Sequence, residues 1–256
     1  MLEVFAMTSL VDEAVTWSPV GLASSEEFAR ARTEALNIVQ WLVRIANSYV
    51  DHTSGLERIL LSYRPADQAF VTKPFFDNLA VEMRLPSLKL QFLEGDKPTP
   101  HVFDPHERSP AEVEAWILVE LLHRGLDRTR FSKALPYSIP GLMTGDADDY
   151  APATCQLGLE ELARWFNNAT AVMRFLVTNV GDGMIACWPE TMELRFVGYD
   201  EHPIEIIFSP GQGETRGPSF SIGRADGPKT ELTASELARV ENPVATTLAF
   251  MNAAAR

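Results

Sequence analysis

Glu190, Glu193 and His202 are the side chains whose types and closeness in sequence best suit acid–base chemistry in this chain. They sit in a stretch, Ala186 to Phe196 followed by Ile204 to Gly211, that reads as two strands, the second ending in a glycine-rich turn. Two carboxylates and an imidazole can exchange a proton if a pocket desolvates one of them. A regular strand sends Glu190 and Glu193 to opposite faces, because side chains alternate with period two. The plainer account is that Asp200-Glu201-His202-Pro203 forms a hairpin turn and the glutamates line a wet face. Trp188, Phe208, Ser209, Gly211 and Phe220, with Tyr137 from the Pro136–Pro152 loop, are the expected walls of a pocket for a small molecule. Two functions compete on these residues. One is a binding module for a small molecule or a protein. The alternative is a hydrolase or metal-assisted enzyme using Glu190, Glu193 and His202.

Other clusters are less complete. His101, Asp104, His106 and Glu107 could ligate a divalent transition metal. Their spacing does not suit one helical face and they lie in a proline-rich segment, so a solvated loop is the simpler account and no metal site is assigned. Ser209-Pro210-Gly211-Gln212-Gly213-Glu214 follows a strand but lacks the later glycine, the helix and the lysine that phosphate loops need. Arg216 and Arg224 flank it and could meet an anion. No Gly-x-Ser-x-Gly elbow occurs. Asp146, Asp148 and Asp149 have no downstream glutamate to complete a calcium loop. His52 and His123 stand near helix ends, where a cation relieves terminal carbonyls. No motif identifies a cofactor.

The elements that must position these residues belong to a chain of 256 residues, 46 % hydrophobic and 22 % charged, enough for a real core. Its net charge of −13 disfavours nucleic acid and anionic membranes as partners. Cys155 and Cys187 lack the paired spacing of a zinc site or a disulfide framework and read as buried thiols. Glu3, Asp12 and Glu13 exclude a signal peptide at the start, and no apolar run is long enough for a membrane helix. A cytoplasmic location is expected.

Ser24 or Ser25 caps a helix reaching about Val50, with Phe28, Ala31, Ala35, Ile38, Leu42 and Ile45 on its apolar stripe and Trp41 and Tyr49 on its buried face. Strands are expected at Ile59 to Tyr63, which is short and apolar, and at Leu79 to Leu85 and Leu88 to Phe92, each of these two with one polar face. Gly95 to Pro110 reads as loop. Ser109, Pro110 and Glu112 open a second helix with a capping box; its stripe is Val113, Trp116, Ile117, Leu121 and Leu122, and Gly125 ends it. Asp127 to Leu157 is irregular, a length that is functional or a linker more often than incidental. A third helix covers about Gly158 to Asn179. Strands follow at Met184 to Phe208 and Pro218 to Ile222, then a closing helix capped by Asn242.

Leu135-Pro136-Tyr137-Ser138-Ile139-Pro140, Leu162 to Ala169, Cys187-Trp188-Pro189, Ser209-Pro210-Gly211 and Phe220 together resemble a family of uncharacterised bacterial proteins of about this length. The resemblance covers most of the chain from Ser24 onward and implies no activity, substrate or cofactor. It also implies histidines and an aspartate just after the Trp-Pro pair, where this chain has Glu190, Thr191 and Glu193. That departure weakens a histidine-dependent chemistry here.

Strands grouped in runs favour an α+β fold, mostly antiparallel with helices packed on one face. One domain over 1–256 is expected, with possible halves at 24–126 and 127–256, although no residue-level repeat links them.

Overall fold

Two antiparallel five-stranded meanders follow one another along the chain, each preceded by a 25-residue helix. The computed structural model describes residues 17–50, 52–180, 183–199, 204–213, 216–224, 227–237, 245–247 and 249–250. Helix α1 (Ser25–Tyr49) leads through a 3-10 segment (His52–Ile59) to β1 (Ser62–Arg64), β2 (Ala69–Val71), β3 (Leu79–Arg84), β4 (Lys89–Glu94) and β5 (Lys97–Phe103). Helix α2 (Pro110–His123) closes this first half. Helix α3 (Gln156–Val180) opens the second, followed by β6 (Gly183–Trp188), β7 (Glu193–Gly198), β8 (Ile204–Ser209), β9 (Ser219–Arg224), β10 (Lys229–Thr233) and the short α4 (Ala234–Leu237). The α+β class with two similar sheets is therefore what the fold shows. The closing helix expected after Asn242 lies largely outside the described residues.

Each sheet is a simple meander in chain order. Their first strands meet, because Leu61 and Cys187 exchange backbone hydrogen bonds of 3.1 and 2.8 Å. Above this junction α1 packs on α3, and Gly158 allows the approach: a Cβ there would collide with Glu27 and Ala31 of α1. One core cluster runs from Phe70, Val81 and Phe92 of the first sheet, through both long helices, to Phe196, Phe208 and Phe220 of the second.

The helix boundaries follow local chemistry. The Ser24 hydroxyl accepts from the Glu27 amide, and Ser109 with Glu112 forms a reciprocal capping box before Pro110. All the stripe residues expected on α1 are buried, and Trp41 and Tyr49 with them. On α2, Leu122 departs from the expected stripe and is 52 % exposed. The buried Glu161 carboxylate of α3 accepts from the amides of Gly21, Leu22 and Ala23 at 2.7–2.8 Å, fixing the approach to α1.

Three expectations need correction. Gly95 to Pro110 is not all loop, since Lys97–Phe103 forms β5. Pro98 and Pro100 are tolerated there because β5 is an edge strand, where one side of the ladder has no partner to lose. The expected strand Ile59 to Tyr63 starts later, at Ser62, and β2 was not foreseen. The polar face expected on β3 and β4 is solvated only at Arg84 and Lys89. Glu82 and Gln91 are buried there beside a small cluster of Ala69, Val71, Ala80 and Leu93. Arg84 compensates the Glu82 carboxylate at 2.9 Å, and the Gln91 amide donates to the Thr99 carbonyl.

The irregular span before α3 lies along the polar side of α1. Arg44 donates to the Lys133 carbonyl, Asn37 accepts from the Met143 amide, and Trp41 donates to the Tyr150 hydroxyl. Glu34 accepts from the Ala151 amide. A long segment without a ladder can pack in a folded chain because helix side chains satisfy its backbone groups.

Candidate functional site

A cleft of about 440 Å³ opens over the outer face of the second sheet. Strand alternation decides which side chains floor it. Ile206, Phe208, Phe220 and Ile222 point into the core, so Ile207, Ser209, Ser219 and Ser221 point outward. The register sets Ile207 opposite Ser221 and Ser209 opposite Ser219, which places three hydroxyls side by side. Serines are too small to fill the space above them. Glu190 to Glu193 form one wall, Lys229 and Glu231 of β10 another, and Arg32 and Leu36 of α1 stand at one end.

The loop after β8 is locked to α1 by Arg32. Its guanidinium is nearly buried and donates to the carbonyls of Pro210 (2.8 Å), Arg216 (2.9 Å) and Gly213. Burial lowers its pKa from the ordinary arginine value. Gly211 is required beside it. It has φ of 92°, and a Cβ there would strike the Arg216 carbonyl and the Arg32 guanidinium.

Charges around the cleft are paired, within β7 and across strands. Arg195 holds Glu193 at 2.5 Å and Glu205 at 3.3 Å, and Lys229 reaches Glu205 at 3.0 Å. Arg216 meets Glu231 at 3.1 Å. The Ser219 hydroxyl, and then Arg216, hold the Glu231 carboxyl below its ordinary value. The lining thus offers both signs of charge with hydroxyls between, a surface suited to binding a polar molecule.

The sequence-level site is divided by the structure. Glu190, Glu193, Ser209 and Gly211 border the cleft. Phe208 and Phe220 do not wall it; both are fully buried, their rings 5.2 Å apart, and Phe208 packs on Trp165 and Phe166. Trp188 is not a lining residue either, since Arg195 lies over its ring at 5.0 Å. Tyr137 belongs to the span along α1, where its hydroxyl donates to Gln40 at 2.8 Å. Gln40 in turn donates to the Pro189 carbonyl at 2.8 Å, so Tyr137 helps hold the 189–192 turn without reaching the cleft. Burial raises its pKa strongly, which keeps it a neutral donor. His202 lies outside the described residues. The strand ends flanking it, Gly198 and Ile204, are at the far end of β7 and β8 from Glu193 and Ser209. The stretch read as two strands is three, because Pro189 to Met192 is a turn.

A second cluster escaped the sequence reading. His101 of β5 lies 2.9 Å through Nδ1 from Oε1 of Glu120, and Nδ1 of His123 lies 4.0 Å from the same oxygen. The loop cluster that sequence spacing suggested is dispersed: Asp104 pairs with Lys89 at 3.0 Å and accepts from the His106 amide. The available signal was Glu120-x-x-His123 on one helical face, together with His101-x-Phe103 on one strand face. Phe103 packs on Trp116, and one turn further along α2 brings Glu120 to His101.

Compared with known protein families, curated proteins and solved structures, the chain matches none. No helix among the described residues is long and apolar enough to cross a membrane.

Proposed function

We propose that this chain is a cytoplasmic bacterial protein that binds a small polar molecule in the cleft over β8, β9 and β10. The observation that carries this reading is the serine-floored recess of about 440 Å³, closed at one end by the Arg32 lock on the loop after β8. A volume of that order is within the range of small-molecule sites. Acidic groups on the β7 side and basic groups from Arg216 and Lys229 favour a zwitterionic or polyhydroxylated ligand over a polyanion. The net charge of −13 disfavours nucleic acid for the same reason. The acid–base alternative draws no comparable support, because the Glu193 carboxylate is tied by two bonds to Arg195. The resemblance to uncharacterised bacterial proteins adds no activity.

Saturation-transfer NMR with a panel of amino acids, sugars and polyols tests the reading. At least one compound is expected to give signal with the natural chain and to lose it in Ser221→Trp, which fills the recess. No signal from any compound, or signal that survives Ser221→Trp, would overturn it.

A further inference from the structure

We propose that His101, Glu120 and His123 form a binding site for a divalent transition metal, zinc foremost, on the first half of the molecule. The site is independent of the cleft. Two imidazole nitrogens and one carboxylate oxygen lie within 4.8 Å of one another, supplied by one strand and one helix. Rigid elements, not a loop, therefore set the geometry.

The distances are close to those a metal requires. Zinc–nitrogen and zinc–oxygen bonds of about 2.0–2.2 Å in a tetrahedron separate neighbouring ligand atoms by about 3.3 Å. The two separations from Glu120 Oε1, 2.9 and 4.0 Å, bracket that value. Rotation of the exposed imidazoles closes the wider separations, which reach no more than 4.8 Å, and brings the ligand atoms into range. The side chains of His101 and His123 are 60 % and 57 % exposed, and their rings are inclined at 59°, so the mouth is open to further ligands such as water. Three protein ligands with an open position is the arrangement of a site that can also take an exogenous ligand.

Glu120 shows how the site is held. Its side chain is only 3 % exposed, and Arg124 takes its other oxygen, Oε2, at 2.6 Å. That leaves Oε1 facing the two histidines. Arg124 is itself seated over the Phe92 ring at 4.6 Å. A carboxylate whose far oxygen is hydrogen-bonded is a preoriented metal ligand. Arg124 is also a counter-charge, and Glu94 at 3.7 Å offsets part of it. On binding, the Glu120–His101 hydrogen bond is exchanged for two metal bonds. Both histidines then present Nδ1 lone pairs and carry their protons on Nε2.

The full chain, stripped of metal and without an affinity tag, is titrated with Zn²⁺ in a calorimeter and with Co²⁺ by visible absorption. One ion per chain is expected. His101→Ala and His123→Ala are each expected to weaken Zn²⁺ binding at least about tenfold and to remove the Co²⁺ band. Both replace exposed side chains, so the fold survives them. His106→Ala, in a nearby histidine outside the cluster, is expected to leave binding unchanged. Absence of a stoichiometric ion in the natural chain, or unchanged affinity in His101→Ala and His123→Ala, would overturn the proposal.

Discussion

The two sheets share a plan and differ on one face. In both, the inner face is apolar and packs under the long helices in a single core. On the outer face of the first sheet, Ala69, Val71, Ala80 and Leu93 are buried and Glu82 is neutralised among them. On the outer face of the second, Ser209, Ser219 and Ser221 floor an open cleft ringed by paired charges. The outward side chains differ accordingly: apolar ones are buried on one meander, while hydroxyls on the other floor a recess beside groups that can bind.

The largest effect that could break this comparison concerns the shared core. Phe92→Ala and Phe208→Ala each remove a fully buried ring and are expected to cost about 3–5 kcal/mol. Urea unfolding followed by tryptophan fluorescence and by far-ultraviolet circular dichroism should give one coincident transition in both variants. Separate transitions would show that the halves do not share a core. Arg32→Ala is next. It removes the guanidinium from three loop carbonyls, of which that of Arg216 keeps the Gln212 amide, and is expected to cost about 2–3 kcal/mol in urea midpoint analysis. It should also abolish any ligand signal from the cleft.

A reciprocal pair sharpens the contrast between the outer faces. Ala80→Ser puts a hydroxyl into the shut face and is expected to cost about 1–3 kcal/mol. Ser221→Ala on the open face should change stability by no more than about 0.5 kcal/mol. The smallest effect is on pH dependence. The folded Glu231 carboxyl binds its proton less tightly than the unfolded one, so its contribution is complete above the ordinary value of 4.5. It is lost as pH falls through the lowered folded value. Comparing thermal midpoints of the natural chain and Glu231→Gln from pH 7 downward should show the difference closing in acid.

The helices were legible in the sequence because each carries its signals locally: Ser24 and Ser109 as caps, Pro110 at the start, an apolar stripe at helical spacing. The antiparallel strands were legible from alternation, but β5 was not, since Pro98 and Pro100 read as loop until a sheet edge explains them. The wet face expected of β3 failed at Glu82, whose burial depends on Arg84 two residues along the strand. The cleft was half legible. Glu190, Glu193, Ser209 and Gly211 fell in the correct stretch, but Phe208 and Phe220 were assigned outward when register turns them inward. The Arg32 lock and the meeting of His101 with Glu120 and His123 were not read from the sequence, because they join residues far apart in it; only the Glu120-x-x-His123 spacing carried a local signal.

The prolines of β5 carry one last consequence. With the two sheets bridged at Leu61 and Cys187, the outer borders among the described strands are β5 and β10. A strand from another molecule would need an unbroken row of amides to zip onto either. Pro98 and Pro100 interrupt that row on β5, and Lys229 and Glu231 place charge along β10. Both borders of the described strands are thereby poor templates for strand addition from a second copy.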